Sequence, residues 1–342
     1  RQLEAGAWGI SFANVQQAGV GLRHGVKRIL IANQVFQTSD LDTLSSWQTS
    51  YPSSRVCFLI DSLAQLDLIT KWHRHNPQAC FEVLLELGIS GKRTGVRSLE
   101  QGSALAQAIR QSPAVRLVGV ECYEGGLASC RSEEDRHAVG ALMNVLTELA
   151  MVCAREQWFE CDEVLMTAGG SAVFDLVAEH LRPNLGRPMR GILRSGCYVT
   201  HDHVQYHHHL QAVGQRLGQS QTLQPAIEVL SMVQSVPEPG LALLTMGKRD
   251  VSYDLDMPVP IWRTQVRSPA VSTTPCPNDW RISALNDQHA HLKFDPNSSA
   301  PPVVGEIVGC GISHPCTTFD KWRWMPIVDD HYRVIDAISI HF

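Results

Sequence analysis

Short apolar runs alternate with longer amphipathic stretches from residue 7 to about residue 217. Apolar runs bounded by turn residues and followed by helical periodicity predict βα units on a parallel sheet. Seven runs read as strands: Trp8 to Phe12, Arg28 to Ala32, Val56 to Ile60, Phe81 to Leu87, Val115 to Cys122, Glu163 to Thr167 and Gly191 to Arg194. Helices are predicted over Asn14 to His24, Ser62 to His75, Leu99 to Arg110, Glu133 to Glu156 and Ala172 to His180, with entry signals such as Asp61-Ser62 and Ser132-Glu133-Glu134. Seven consecutive units fit a (β/α)8 barrel lacking one strand better than an open sheet. The expected fold class is therefore α/β, with the missing strand placed upstream of Arg1, where the chain opens as if inside a helix.

Beyond residue 220 the texture changes to strand-like runs with Pro and Gly between them. Ile227 to Ser235, Gly240 to Met246, Val303 to Val308 and His331 to Ile340 are the expected strands of an all-β second domain. Residues 1–220 and 221–342 are thus the expected domains, and Arg267 to Pro302, rich in Pro, Ser, Thr and Asn, reads as long connections.

Composition narrows the function classes. With 342 residues, 44% apolar and 18% charged, the chain can bury a full core. A net charge of -5 and no run of Lys or Arg argue against a nucleic-acid partner and for a small-molecule one. Ten scattered cysteines without a C-x-x-C pair favour a reducing, cytoplasmic setting. No apolar run reaches the roughly 18 residues of a membrane span, so no membrane partner is expected.

In a parallel barrel, chemistry gathers where the strands end. After Glu163 to Thr167 comes Ala168-Gly169-Gly170-Ser171, readable as a phosphate cradle on a helix N-terminus or as a plain turn with Ser171 as N-cap. After Gly191 to Arg194 comes Ser195-Gly196-Cys197-Tyr198, where Gly196 offers an approachable amide and Arg194 and Tyr198 can address a ring or an anion. After Phe81 to Leu87 lies Gly88-Ile89-Ser90-Gly91-Lys92-Arg93-Thr94-Gly95, a phenolate or phosphate contact or simply a surface turn. The histidines of His201-Asp202-His203 and His207-His208-His209 are a second metal candidate, set against histidines merely solvated on a polar segment. His314-Pro315-Cys316 places an imidazole and a thiol two residues apart; in an extended segment both face one side and make half of a zinc site. A buried thiol beside a surface histidine has the same pattern.

Several segments resemble the alanine racemase-like pyridoxal phosphate (PLP) enzymes, in the branch of D-serine dehydratases, D-threonine aldolases and bacterial amino acid deaminases. They are Gly6 to Ser11, Arg93-Thr94-Gly95-Val96, Glu121-Cys122-Tyr123-Glu124-Gly125, Gly169-Gly170-Ser171, Arg194 to Tyr198 and the tail from Gly311 to Phe342. The resemblance implies a PLP barrel followed by a β domain, with Thr167, Gly169, Gly170, Ser171, Arg194, Gly196, Cys197 and Tyr198 binding the cofactor. Gly170, Ser171, Gly196 and Cys197 would lie around its phosphate, and Arg93 and Tyr123 beside its ring. It also implies zinc on His314 and Cys316, a D-amino acid substrate, and a homodimer. The dehydratases look like H-x-C and the aldolases like H-x-D, so a dehydratase releasing a 2-oxo acid and ammonia is expected, with zinc polarising the departing hydroxyl. Retro-aldol cleavage of D-threonine is the alternative, as is a non-catalytic PLP-binding protein. Glu86-Leu87-Gly88 departs from the aldolase-like E-x-D. The family's Schiff-base lysine is expected upstream of Arg1, because none of Lys27, Lys71, Lys92, Lys248, Lys293 and Lys321 matches its segment.

Overall fold

The computed structural model describes residues 1–219, 223–265 and 272–341 and divides into two compact units, Arg1–Ser195 and Gly196–Phe342. The first unit runs β1 (Ile10–Phe12), α1 (Val15–Arg23), β2 (Arg28–Gln34), α2 (Thr38–Ser50), β3 (Arg55–Ile60), α3 (Leu63–His73), β4 (Phe81–Leu87), α4 (Leu99–Gln111), β5 (Val115–Cys122), α5 (Ser132–Arg155), β6 (Val164–Ala168), α6 (Phe174–Ala178) and β7 (Met189–Leu193). All seven strands are parallel and stand in sequential order, a curled (β/α) barrel sheet with β1 and β7 at its two edges. Every expected strand is present.

Alternation along these strands sorts side chains to two faces. Ile29, Ile31, Phe58, Ile60, Val83 and Leu85 pack with helix residues such as Leu22, Leu66, Ile109 and Met143 in the main core. The intervening Leu30, Cys57, Leu59, Leu84 and Leu165 form a smaller cluster with no helical member, which is the concave inside of the sheet. Burial on both faces is why the strands read as near-continuous apolar runs. Asn14, Ser62 and Ser98 cap α1, α3 and α4 by accepting from the amides of Gln17, Gln65 and Gln101 at 2.9, 3.3 and 3.2 Å. Helix α5 is long and apolar enough to span a membrane by length and composition. Its Val139, Met143, Leu146, Leu149, Ala150 and Cys153, however, lie on one stripe wholly buried in the core. Helix α2 escaped the pattern because its Ser- and Thr-rich sequence buries only Leu41 and Leu44.

The second unit holds α7 (Gln205–Leu217), β8 (Glu228–Glu238), β9 (Leu241–Leu244), β10 (Val259–Gln265), β11 (Thr274–Pro275), β12 (Arg281–Leu285), β13 (Ala290–Lys293), β14 (Glu306–Gly311), α8 (Pro315–Phe319), β15 (Trp324–Val328) and β16 (Val334–Ser339). Its antiparallel sheet has the order β11-β10-β14-β8-β9-β13-β12, with β15 and β16 paired separately. The expectation of an all-β domain holds for its sheets, while two of its segments depart from the pattern reading. Residues 281–285 and 290–293 are strands joined by a turn in which the Asn286 amide donates to the His289 carbonyl at 2.8 Å, so the stretch read as connections carries structure. Such strands of four or five residues are too short to show a period.

The expected boundary at 220/221 lies outside the described residues, and the units divide earlier, at Ser195. The segment after Ser195 belongs with the β domain because the His203 amide donates to Ile312 O at 3.1 Å and the Ala226 amide to Thr200 O at 2.7 Å. Gly311 also lies so close to the His203 ring that an added Cβ would meet Cγ at 2.3 Å.

Two glycines of the first unit should respond in opposite senses to alanine. At Gly119 on β5 an added Cβ would lie 2.1 Å from Leu165 O on β6, so Gly119→Ala is expected to cost about 2–3 kcal/mol in urea unfolding. At Gly140 on α5 nothing lies within 4 Å, and Gly140→Ala should stabilise by roughly 1 kcal/mol through helix propensity.

Candidate active site

Toward the C-terminal ends of the strands the inward row changes from apolar to polar. Leu84 and Leu165 are followed two residues later, on the same face, by Glu86 and Thr167. The register sets Glu86 beside Glu121 and Glu121 beside Thr167, one row across β4, β5 and β6. All three side chains are buried. Arg194, just past β7, reaches over this row: its Nε donates to Thr167 Oγ1 at 3.0 Å, and one terminal nitrogen serves both Glu121 Oε2 and the Cys122 carbonyl. Its own side chain is only 8% exposed, so the pair with Glu121 is a buried one.

A single guanidinium faces several carboxyls. Glu86 accepts from Thr94 Oγ1 at 2.8 Å and from the Gln34 amide. Burial, opposed by these bonds, pushes its carboxyl up. Glu121 is pushed up to about 7, first by burial and then by Glu86 and Glu124, against the pull of Arg194. Its Oε1 is buried and has no hydrogen-bond partner. Glu124 is wholly buried and its carboxylate takes the amides of Gly169 at 3.2 Å and Gly170 at 2.7 Å. Burial also raises Glu124, opposed by those amides.

The Gly169-Gly170 cradle therefore already holds an anion, one supplied by the chain. No side chain is tolerated at Gly170, where a Cβ would come within 2.5 Å of Glu124 Oε1. The expected helix N-terminus is also displaced: α6 begins at Phe174 with Val173 as its cap residue, so Ser171 is not an N-cap. Ser171 is half-buried in the preceding turn, and Ser195 Oγ donates to Gly170 O at 2.9 Å.

Arg93 and Tyr123 come together, the guanidinium 4.5 Å above the ring centroid. They line a cleft of about 580 Å³ with Glu86, Lys92, Thr94 and Gly125. A larger cleft of about 740 Å³ opens at the other end of the strands, beside Arg55, Phe81 and Arg116, the end that barrel folds use for stability. The cleft at Arg93 is the one at the catalytic end. Glu86, Glu121 and Glu124 were not singled out as site residues in the sequence, although Glu121 and Glu124 flank the Tyr123 that was. The signal available was a charged residue in an otherwise apolar strand.

In the second unit, Cys197 to Val199 form one 3-10 turn in which Tyr198 is 47% exposed. A Cβ on Gly196 would meet nothing within 4 Å, so that glycine is not imposed by local packing. His314 and Cys316 lie not on a strand but on a helix entry. His314 precedes α8, Pro315 stands at its first position, and Thr318 Oγ1 donates back to His314 O at 3.1 Å. Proline at a first helical position favours this turn over continued extension.

The imidazole is nevertheless held firmly. Its Nδ1 meets Asp254 Oδ2 at 2.6 Å, Thr317 Oγ1 donates to Asp254 Oδ1 at 2.9 Å, and the His314 amide donates to Ser252 Oγ at 3.1 Å. Burial alone would raise the Asp254 carboxyl, but its hydrogen bonds with His314 and Thr317 hold it below the usual range. With Nδ1 so engaged, Nε2 is the ring nitrogen that points away from the carboxylate. The Cys316 thiol hydrogen-bonds the Cys197 thiol, which together with burial pushes it up. The donor types of His314 and Cys316 suit zinc, but no group of three or more His, Cys, Asp or Glu side chains that could hold a metal converges among the described residues. The same holds for the histidine run: His207 and His208 are exposed, while His201 and His203 are lowered to about 4, chiefly by burial.

Comparison with known proteins agrees with this architecture. Residues 226–328 match the family model described as a putative serine dehydratase domain. A D-threonine aldolase from Arthrobacter sp. is 23% identical over 330 residues, 96% of this chain and 78% of that protein. The crystal structure of D-threonine aldolase from Filomicrobium marinum superposes with a TM-score of 0.77 at 24% identity, covering 99% of this chain and 83% of that one. The D-threo-3-hydroxyaspartate dehydratase from Delftia sp. HT23 does so with a TM-score of 0.70 at 19% identity, covering 99% and 86%. The resemblance seen in the sequence is supported: residues 226–328 match a putative serine dehydratase domain, and the fold is alanine racemase-like.

Proposed function

We propose that this chain serves a PLP-dependent lyase that removes water from a D-3-hydroxy amino acid such as D-serine, releasing a 2-oxo acid and ammonia. The observation that carries the reading is the His314-Cys316 pair, a nitrogen and a sulfur donor with a carboxylate fixed behind the imidazole. Hydroxide is a poor leaving group, and a site built for a Lewis acid addresses that difficulty. A bound PLP would supply an electron sink at the α-carbon, and a zinc ion on His314 Nε2 and Cys316 Sγ would supply Lewis acidity for the hydroxyl.

The fit to PLP is partial. The unpartnered, buried Glu121 Oε1 and the cleft at Arg93 and Tyr123 suit a polar ring, whereas the amides of Gly169 and Gly170 are occupied by Glu124.

The remaining work falls to side chains of the chain itself. Asp254 fixes the His314 tautomer and aims its ring. Arg194 holds Glu121 at the strand ends, and Glu121, raised to about 7, keeps a proton below about pH 7. A buried carboxyl in that state donates a hydrogen bond rather than presenting a charge. Arg93, exposed at the cleft rim and stacked on Tyr123, offers the positive charge that a substrate carboxylate requires.

The rival is retro-aldol cleavage, which the relatives named as aldolases support. Product analysis separates the two. With PLP and zinc supplied, protein from the complete reading frame should convert D-serine to pyruvate and D-threonine to 2-oxobutyrate, each with ammonia. Acetaldehyde and glycine from D-threonine would instead establish the aldolase, and a protein that binds PLP without forming either product set is a binding protein.

Two further outcomes follow from the same geometry. Asp254→Asn should weaken zinc binding by roughly 10–100-fold in a competition titration, and an unchanged affinity would remove Asp254 from the metal reading. For Glu121, whose folded value lies above the ordinary carboxyl value of 4.5, the folded state binds the extra proton between about pH 4.5 and 7. Stability is therefore full below that window and falls as pH rises through it, by about 3 kcal/mol. Urea midpoints measured from pH 4.5 to 8 should show this slope in the wild type and a flatter one in Glu121→Gln.

A further inference from the structure

The amides of Gly169 and Gly170 are held by a carboxylate that comes from another strand end. Glu124, wholly buried just past β5, accepts from the Gly169 amide on Oε2 at 3.2 Å and from the Gly170 amide on Oε1 at 2.7 Å. Each backbone N-H is a single donor, so both donors of the cradle are engaged. The space is taken as well. A Cβ added at Gly170 would meet Glu124 Oε1 at 2.5 Å and both the Cα and the amide nitrogen of Gly125 at 2.8 Å. An incoming anion therefore finds neither a free amide nor room, and it meets a carboxylate of its own sign.

Other buried carboxylates that hold backbone amides do so locally. Asp135 takes the Ser129 amide, and Asp202 the amides of Val204 and Tyr206, each within six residues. Glu124 reaches 45 and 46 residues along the chain to clamp a loop to which it does not belong. The clamp also has a joint. Glu124 is followed by Gly125 and Gly126 in a single 3-10 turn, Gly125–Leu127, where the Leu127 amide donates to Glu124 O at 2.9 Å and the Ala128 amide to Gly125 O at 3.4 Å. Two successive glycines in so short a turn can change their dihedral angles at small cost. Gly125 and Gly126, with Tyr123 before them, form one wall of the cleft at Arg93.

We propose that Glu124 is a latch: its carboxylate occupies the Gly169 and Gly170 amides in place of a phosphate group, and a phosphate enters only by displacing it, which swings the Gly125-Gly126 turn and reshapes the wall of the Arg93 cleft. Phosphate suits this cradle because adjacent glycine amides favour an oxyanion, and the Arg194 guanidinium, 3.0 Å from the Cβ position of Gly169, adds positive charge. Filling of the cradle is thereby read at the cleft. That the arriving phosphate belongs to PLP rests on the function proposed above; the latch itself needs only the phosphate group.

The experiment takes full-length protein isotope-labelled in its glycines, cleared of any bound aldehyde with hydroxylamine and dialysed free of phosphate, and titrates it with inorganic phosphate in the NMR spectrometer. In the wild type the amide signals of Gly169 and Gly170 should move together with those of Gly125 and Gly126 along one binding curve. Glu124→Gln keeps the size of the side chain and removes its charge, and should bind phosphate about tenfold more tightly, the scale of one charge-assisted hydrogen bond no longer in competition. Gly169 and Gly170 signals that ignore phosphate, or that move while Gly125 and Gly126 stay still, overturn the latch, as does an unchanged or weaker affinity in folded Glu124→Gln. The wild-type titration stands by itself if the variant does not fold. PLP added in place of phosphate tests the cofactor separately. If phosphate moves all these glycines but PLP does not bind, the latch stands and the cofactor reading fails; PLP binding that leaves the glycines unmoved does the reverse.

Discussion

One guanidinium has to serve three strand ends. Arg194 comes from the end of β7 and donates to Thr167 on β6 and to both Glu121 and the Cys122 carbonyl on β5. Because the group is nearly dry, each of these bonds is stronger than it would be in water, and removing the cation would leave its partners without compensation. The mouth of the barrel sheet is organised by that requirement. Glu121 can be buried because Arg194 pairs with one of its oxygens, and it is raised to about 7 because that one cation does not offset burial together with the neighbouring Glu86 and Glu124. An unpartnered oxygen on Glu121 follows directly, and it is the atom that most plainly calls for a bound polar group.

The second unit meets the same problem with a different solution. His314 stands at a helix entry where its backbone is fixed by Ser252 and Thr318 and its ring by Asp254. Three short polar side chains and a proline thus hold one imidazole. The rigidity comes from hydrogen bonds of a loop to a helix cap, not from core packing.

Much of the fold was legible. The inner parallel strands could be read because both of their faces are largely buried, which writes continuous apolar runs into the chain, while the partly exposed edge strands β1 and β7 were read from their place in the alternation. Helix α2 and strands β12 and β13 could not: α2 buries two leucines among Ser and Thr, and each strand spans two alternations at most. The candidate site divides in the same way. Arg93, Arg194 and the His314-Cys316 pair could be named from residue type and position, whereas Tyr123 and Thr167 entered as site residues only through the family resemblance. The occupation of the Gly169 and Gly170 amides by Glu124 was not, because the carboxylate lies more than forty residues earlier and only the fold joins them. The helical setting of Cys316 was misread as extended since one turn of five residues leaves no periodic trace.

The inward row of the sheet changes character within two residues. Leu84 and Leu165 lie in one layer, Glu86 and Thr167 in the next, and the register keeps each layer level across the strands. Foldedness and chemistry are therefore written in separate tiers of the same strands. A lineage can revise the upper tier, exchanging a carboxyl for a hydroxyl or a cation, while the tier beneath it goes on closing the sheet unchanged. Divergent reactions on one scaffold are the expected evolutionary result of that separation.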